Sequence, residues 1–267
     1  MASIIGAICV LSAMLAVASG AGKSPPWNYD DRTQYGPSNW GNHPTTAACK
    51  DGTTQSPINI NKLSTSYRRG LPPLRFDFTN NNVAWKLRND GHALSALPVN
   101  PYKAPTLSGG PLGNSIYRVY NYHLHFGSEY MPASEHSFND RRTTGELHVV
   151  TYNTRYASIG DAIASKDFNA LAVVGTLFHI SDSQISHPGL LSTLFYSNNL
   201  TSPNDAAVVT VPMNNLVTNE IMEKYYMYPG SLTTPGCAET VQWLVLDTVA
   251  YVPTASIRDV TDLRSKQ

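Results

Sequence analysis

The sequence predicts a single domain of mainly β structure (mixed α/β class), and three observations support this prediction. The chain has 267 residues, a length that one β-rich domain can reach. It contains 18 glycines, 18 prolines and 15 tyrosines, a composition that favours strands and turns over long helices. Short strand-like runs alternate with turn signals, and no internal repeat or linker divides the chain. We therefore expect one strand-dominated domain.

Residues 1–20 are interpreted as a cleaved secretory signal peptide, which leaves a domain over residues 21–267. They carry no charged side chain, and the apolar stretch Ile4–Val17 is shorter than the roughly 20 residues that a membrane-spanning helix needs. Ala16-Val17-Ala18 and Ala18-Ser19-Gly20 have the small residues typical of signal cleavage sites. An uncleaved membrane anchor is the alternative. The prediction is a secreted, extracellular protein without a membrane span.

Loss of the signal peptide would remove Cys9 and leave two cysteines, Cys49 and Cys237. In an oxidising compartment we expect these two to form a disulfide, and two free thiols are the alternative. Asn199-Leu200-Thr201 is the one glycosylation sequon, and its Ser, Asn and Pro neighbours are typical of a loop. Asn199 is therefore a candidate glycosylation site.

The individual elements follow from local patterns. The turn signals Asn89-Asp90-Gly91, Gly109-Gly110-Pro111 and Pro235-Gly236 separate the strand-like runs. Helical patterns are short and are limited to Ser158–Ala164 and Val217–Tyr225. The runs that predict strands are Leu74–Phe78, Ala84–Leu87, Ser115–Phe126, Glu146–Tyr152, Leu171–Ile180, Ala207–Val211 and Val241–Leu246.

The charge balance excludes one class of partner. Nineteen Lys and Arg residues balance nineteen Asp and Glu residues, so the formal net charge is zero. A protein that binds nucleic acid needs an electropositive face to displace counterions from the phosphates. We therefore expect no nucleic-acid partner.

The segment from Tyr120 to Phe126 contains a candidate metal site. In a strand His123 and His125 point to the same face, because side chains alternate. His148 follows in a second predicted strand, after enough chain for an antiparallel return. Three neutral imidazoles leave one tetrahedral position on zinc open, the pattern of a catalytic site. A His-x-His pattern that occurs by chance in a strand is the alternative.

Two polar residues lie beside these histidines in sequence. Glu146 comes two residues before His148, and Asn121 comes two residues before His123. Each shares the face of its histidine, so each could accept a hydrogen bond from a ligand imidazole. A surface position for both side chains is the alternative.

Five segments, in order along the chain, resemble the alpha class of carbonic anhydrases in its secreted form. The first matches the N-terminal signature, the second the segment with the proton-shuttle histidine, and the third the strand with paired ligands. The fourth matches the signature of the third ligand, and the fifth the loop with the active-site threonine. They are Gln55–Ile60, Asn89–Ala93, Tyr122–Gly127, Ser134–His136 with Glu146–His148, and Ser231–Pro235.

The resemblance implies a large, twisted, mostly antiparallel central sheet with a few short surface helices. It also implies a zinc enzyme that interconverts carbon dioxide with bicarbonate and a proton through a zinc-bound hydroxide. The Zn2+ ligands would be His123, His125 and His148. By the same likeness, Cys49 and Cys237 occupy the two positions that are bridged in secreted members of the class.

The resemblance also assigns roles around the metal. Thr233 would accept a hydrogen bond from the hydroxide and donate one to an ionised Glu135, and His92 would be the proton shuttle. Tyr29 would order the water chain. The substrate residues would be Thr234, which contacts bicarbonate, and an apolar wall for carbon dioxide formed by Val150, Val173, Leu232, Val241 and Trp243.

The sequence departs from this class at a few positions. Asn121 replaces a glutamine, Phe126 replaces a tryptophan and Ser95 replaces an asparagine. The chain also has a shortened C-terminus that ends before the Trp-Arg-Pro stretch of the class, so we expect an unpaired sheet edge.

Two other functions are compatible with the fold that the resemblance implies: a non-catalytic matrix or binding protein, and a zinc hydrolase that acts on esters. The three histidines with Thr233 and Glu135 favour carbon dioxide hydration over both. Because no extra apolar segment is present, we expect a monomer.

Overall fold

The computed structural model describes residues 26–80, 82–127 and 132–256. It confirms the predicted class, because a large, mostly antiparallel sheet forms the centre and the helices are few and short. The predicted signal peptide over residues 1–20 and the last residues of the chain, 257–267, lie outside the described residues.

Eleven of the thirteen strands in the described residues form one sheet. The strands are β1 (Asn59–Ile60), β2 (Arg75–Asp77), β3 (Ala84–Asn89), β4 (Leu94–Pro98), β5 (Thr106–Ser108), β6 (Tyr117–Phe126), β7 (Ser137–Phe138), β8 (Gly145–Asn153), β9 (Leu171–Ile180), β10 (Ala206–Thr210), β11 (Tyr225–Gly230), β12 (Val241–Leu246) and β13 (Ala250–Val252).

The long path through this sheet runs β10-β3-β4-β6-β8-β9-β12-β11. Its pairs are antiparallel except for β9 with β12. β13 also pairs with β9 in parallel, and β2 and β5 extend the sheet beside β6. β1 and β7 form a separate parallel pair.

The helices lie between the strands and are short. None of the helices in the described ranges has the length and apolar character needed to cross a bilayer. The α-helices are α1 (Ala48–Asp51), α2 (Ile159–Ala164), α3 (Pro188–Ser197) and α4 (Met213–Leu216). The 3-10 helices are Pro37–Asn42, Pro44–Thr46, Lys62–Ser64, Pro101–Lys103, Gly110–Leu112, Ile221–Glu223 and Thr254–Ser256.

Each face of the sheet has its own apolar cluster, because alternate residues of a strand point to opposite faces. The larger cluster contains Tyr122, Val174 and Leu244 and packs against α3 and α4. The smaller cluster contains Val173 and Trp243 and packs against α2. The predicted metal ligands project on the side of the smaller cluster, so strand alternation separates the site from the main core.

All seven predicted strands are present, and two of them have the predicted bounds: Leu171–Ile180 and Val241–Leu246. The helix predicted over Ser158–Ala164 is α2, with Ser158 as its N-cap. The helix predicted over Val217–Tyr225 is wrong. That segment contains only a 3-10 turn before β11 begins at Tyr225, whose strand pairing outweighs the local helical pattern.

The predicted disulfide between Cys49 and Cys237 is present. It joins α1 to the loop between β11 and β12. Hydrogen bonds reinforce the same connection, since Gln55 Nε2 donates to the Cys237 carbonyl at 3.1 Å and to Glu239 Oε1 at 2.9 Å. The irregular N-terminal segment is therefore tied both covalently and by polar contacts to a loop of the sheet.

We expect that replacement of both cysteines by serine lowers the free energy of unfolding. The two cysteines are 188 residues apart, and without the cross-link the unfolded chain gains conformational entropy. In the chain-entropy model this gain lowers the free energy of unfolding by at most about 5 kcal/mol. Denaturant unfolding of the C49S/C237S variant and of the native chain would measure the difference. A reducing agent should destabilise only the native chain, and equal stability of both proteins would contradict the prediction.

Candidate metal centre

Two adjacent strands bring the three predicted ligands together. β6 pairs antiparallel with β8, and His123 lies directly opposite His148 in this register. His125 follows two residues after His123 and shares its face. The potential ligand atoms of the three histidines all lie within 4.8 Å of one another. The cluster predicted from the sequence is therefore present, and its side chains converge.

A β-bulge in β6 determines which face the histidines occupy. The register shifts between Val119 and Asn121, so that Tyr120 is an extra residue on this strand. Before the bulge Tyr117 and Val119 pack into the larger cluster, whereas Tyr122 packs there after it. The alternation is therefore reversed at Tyr120, and the residues that follow it at odd positions face the site.

The orientation of the imidazoles identifies the nitrogens that face one another. His148 Nε2 is hydrogen-bonded to Glu146 Oε1 at 2.9 Å, which leaves Nδ1 of His148 directed toward His123 Nε2 at 3.3 Å. His125 Nε2 is buried and has no hydrogen-bond partner among the described residues. Glu135 Oε2 is the nearest carboxylate oxygen to it, at 3.6 Å.

This donor set fits a zinc ion. Burial lowers the pKa of His125 to about 4, and burial together with the neighbouring histidines lowers the pKa of His123 well below its usual range. Both imidazoles are therefore neutral at physiological pH, which is the form that binds a metal. Two neutral imidazoles, a third imidazole with its Nδ1 directed toward them, and the unpaired buried Nε2 of His125 match a zinc site with an open position.

Glu146 is fully buried and anchors His148 to a hydrogen-bond network. Burial acts to raise the pKa of Glu146, but His136 and His148 outweigh it and hold the pKa well below the usual range. Glu146 Oε1 accepts from His136 Nδ1 at 2.7 Å, and Oε2 accepts from the His136 backbone N–H at 2.8 Å. His136 is itself fully buried, so its imidazole and the Glu146 carboxylate meet away from water.

The network continues from His136 to Ser56, in the segment that precedes β1. The Tyr228 hydroxyl lies 2.6 Å from His136 Nε2 and 2.9 Å from Ser56 Oγ. Ser56 Oγ also accepts from the Ser231 backbone N–H at 3.0 Å. Although His136, Glu146 and His148 form a second group of potential metal ligands, these hydrogen bonds already account for it.

Gly175 provides the space that the Glu146 carboxylate occupies. It lies on β9 directly opposite His148. A Cβ atom at this position would lie 2.9 Å from Glu146 Oε1, closer than real Cβ contacts allow. The absence of a side chain at Gly175 is therefore a condition for the Glu146 to His148 contact.

Glu135 lies close to the triad and interacts with Thr233. Its Oε2 is 3.8 Å from His148 Nδ1. Burial raises the pKa of Glu135, while His148 and a side-chain hydrogen bond with Thr233 act in the opposite direction. Tyr29 is also near the triad, with its ring 6.1 Å from that of His125. Burial raises the pKa of Tyr29 well above the usual range, and the negative charges of Glu135 and Asp90 add to this effect.

The loop from Ser231 to Glu239 carries Thr233, which is buried, and Thr234, which is partly exposed. Its ends are held by the Leu232 backbone N–H, which donates to the Ala238 carbonyl at 3.0 Å, and by the Cys49–Cys237 disulfide. The loop therefore presents both threonine side chains from a fixed backbone.

The predicted apolar wall is a continuous patch beside the triad. Val150 follows His148 on the same face of β8 and pairs with Val173 on β9, which in turn pairs with Trp243 on β12. The Trp243 ring lies 4.9 Å from that of His148. All five predicted wall residues belong to the smaller cluster or pack against it: Val150, Val173, Leu232, Val241 and Trp243.

His92 lies on a turn after β3 and stacks on an aromatic ring. Its imidazole is parallel to the Trp27 ring, with the centroids 3.7 Å apart. Asp90 Oδ1 accepts from the His92 backbone N–H at 2.9 Å, and Gly91 has a φ of +88°, which glycine adopts readily. Burial lowers the pKa of His92, while Asp90 acts to raise it.

The remaining predicted positions lie outside this centre. Asn199 is exposed in a turn after α3, as a glycosylation site requires. Of the other histidines, His43 and His179 are exposed, whereas His187 is partly buried and caps α3 by accepting from the Leu190 backbone N–H.

Comparison with known proteins identifies the family. The profile of the eukaryotic-type carbonic anhydrases matches residues 35–267. The chain belongs to this family. A similar curated protein is carbonic anhydrase 15 of Mus musculus, which is 32% identical over 253 residues, covering 91% of this chain and 75% of that protein. The buried triad is therefore found in a carbonic anhydrase fold.

Sequence reasoning missed Tyr228, Gly175 and Trp27 as parts of this centre. Tyr228 is 92 residues from its partner His136, so no local pattern connects them. Gly175 was recognisable only as a glycine inside an apolar strand, which is a signal for a close approach by another group. Trp27 lies in the irregular N-terminal segment, where the spacing of residues along the chain does not predict which side chains come into contact.

We expect Gly175→Ala to weaken zinc binding by displacing the Glu146 carboxylate from His148. Loss of such a supporting contact typically reduces metal affinity by about 10- to 100-fold. Competition with a chromogenic chelator would measure this affinity. Val174→Ala, the neighbouring residue on the opposite face, should destabilise the core but leave zinc affinity unchanged. Equal zinc affinities of Gly175→Ala and the native chain would contradict the prediction.

Proposed function

We propose that this carbonic anhydrase is an active zinc enzyme that reversibly hydrates carbon dioxide to bicarbonate and a proton. The observation that carries this proposal is the convergence of three imidazoles beside Thr233, Glu135 and an apolar wall. We assign His123 Nε2, His125 Nε2 and His148 Nδ1 as the ligand atoms. When bound there, zinc supplies a Lewis acid that lowers the pKa of a water to about 7.

Thr233 and Glu135 orient the nucleophile in this proposal. Thr233 interacts with Glu135 through its side chain, so its hydroxyl hydrogen is committed to the carboxylate and its oxygen is available to accept. The nucleophile therefore donates to Thr233 and directs a lone pair at the substrate, an orientation effect. Beside a dication Glu135 is ionised, because an opposite charge favours the carboxylate.

The apolar wall and Thr234 bind the substrate and the product. Carbon dioxide has no net charge or dipole, so the patch formed by Val150, Val173 and Trp243 binds it without competing for the polar groups. Thr234, which is partly exposed beside Thr233, provides a hydroxyl for bicarbonate. Leu232 and Val241 complete the wall.

The proton leaves through His92 in this proposal. A histidine exchanges protons near neutral pH, and His92 is partly exposed and stacks on Trp27 of the N-terminal segment. Tyr29 links this stacked pair to the triad, since its ring contacts those of both Trp27 and His125. We assign Tyr29 the role of ordering water along this path.

The disulfide supports a secreted, extracellular location, because such bonds persist in oxidising compartments. We further propose that residues 1–20 are removed as a signal peptide, that the exposed Asn199 is glycosylated and that the mature domain acts as a monomer.

Substitutions at the triad and at Thr233 should separate metal binding from turnover. We expect His123→Ala to lose both stoichiometric zinc and carbon dioxide hydration. Thr233→Ala should keep zinc but lose about 100-fold in rate, a typical cost of removing one orienting hydrogen bond. Stopped-flow hydration with zinc analysis by atomic absorption would test both expectations.

Thr240→Ala is the matched control for Thr233→Ala. Thr240 is a buried threonine at the end of the same loop, and its hydroxyl has no partner among the described residues. This variant should keep both zinc and rate. The proposed function is wrong if the native protein binds stoichiometric zinc and does not hydrate carbon dioxide faster than buffer alone.

A second experiment tests the shuttle. His92 must be unprotonated to accept a proton, so the proton-transfer rate should fall as the pH falls through its pKa. Because burial lowers that pKa, the midpoint should lie below the ordinary histidine value of about 6.5. His92→Ala should be slow in dilute buffer and should recover with added imidazole. The exposed His179→Ala should behave as the native chain, and a His92→Ala rate independent of buffer would exclude the shuttle.

A further inference from the structure

His123 Nδ1 and Asn121 Oδ1 are two of the buried polar atoms in and beside the triad that lack a hydrogen-bond partner in the described part of the chain. The first is a donor when Nε2 is the ligand atom, because a neutral imidazole carries one proton. The second is an amide acceptor. Buried donors and acceptors in native proteins are nearly always paired with protein atoms or with ordered water.

These two atoms belong to one polar group of three side chains. Asn121 and His123 are two residues apart on β6 after the bulge, so they share a face. Ser95 on β4 lies directly opposite His123. The one hydrogen bond within the group is long, from Asn121 Nδ2 to Ser95 Oγ at 3.5 Å, and both Asn121 and Ser95 are buried.

We propose that this group binds one ordered water, through which Asn121 positions His123. The water accepts a hydrogen bond from His123 Nδ1–H and donates one to Asn121 Oδ1, and Ser95 Oγ is its third partner. Three polar partners are the usual number for a buried water. The inference rests on the proposed function, since it concerns the orientation of a zinc ligand.

The length of the Asn121 side chain explains why a water is needed. The amide oxygen does not reach His123 Nδ1, although both residues project from the same face. A ring whose second nitrogen is held by a fixed acceptor keeps both its tautomer and its direction toward the metal. Asn121 is therefore a positioning residue that acts through the water rather than by direct contact.

Variants at Asn121 should change the rate at which zinc leaves the protein. Asn121→Leu removes the acceptor, and zinc dissociation into excess chelator should accelerate by about tenfold or more. Asn121→Gln, one methylene longer, should replace the water by a direct hydrogen bond and keep the dissociation rate within about threefold of the native rate. A rate for Asn121→Leu equal to that of the native chain would overturn the inference.

Thr176→Val is the matched control. It removes another buried hydroxyl that has no partner within the described ranges, but on the opposite face of the sheet. It should leave zinc dissociation unchanged. If Thr176→Val accelerated dissociation as much as Asn121→Leu, the effect would reflect general stability and the inference would be rejected.

A crystal structure of the native zinc-loaded protein decides the geometry independently of any variant. We expect a water within about 2.7–3.2 Å of both His123 Nδ1 and Asn121 Oδ1. A direct contact between these atoms, or no water there, would overturn the inference. If the protein bound no zinc, the proposed function would fail, and a metal-free crystal structure would still test the water.

Discussion

A fully buried carboxylate, that of Glu146, is the constraint on which the rest of the centre depends. An ionised carboxylate away from water is stable only if each of its oxygens is hydrogen-bonded. Two imidazole N–H groups and one backbone N–H donate to the Glu146 carboxylate and meet this requirement. The carboxylate in turn determines which nitrogen of each ring carries the donated hydrogen. The direction of the His148 lone pair toward the other ligands is therefore a consequence of how Glu146 is buried, and Gly175 supplies the room.

The histidine cluster was predictable because it depends on short-range geometry. Strand alternation places His123 with His125 and Glu146 with His148, and the structure retains both relations. The apolar runs also gave the bounds of β9 and β12. The sequence did not reveal that these two strands pair in parallel, because their register depends on tertiary packing. The supports of this network were hidden for the same reason: Tyr228, the partner of His136, and Gly175, which leaves space for Glu146, come near the site only through the pairing of distant strands.

The residues proposed for turnover lie on loops, and contacts from distant segments hold those loops in place. The loop of Thr233 is tied to the N-terminal segment by the disulfide and by Gln55. The turn of His92 is held at its start by Asn89, whose side-chain amide donates to the Leu200 carbonyl at 3.2 Å. The rigid strands thus hold the proposed metal ligands, and cross-links between segments give the loops a comparable precision.

The bulge at Tyr120 reconciles two requirements that a regular strand could not meet together. Tyr117 and Val119 pack into the larger cluster, so unbroken alternation would direct His123 and His125 into that core as well. One inserted residue exchanges the faces for the remainder of β6, because the side-chain period of a strand is two. The ladder loses regularity at a single position. In return, one strand contributes to the main core at its start and supplies two histidines of the triad on the opposite face at its end.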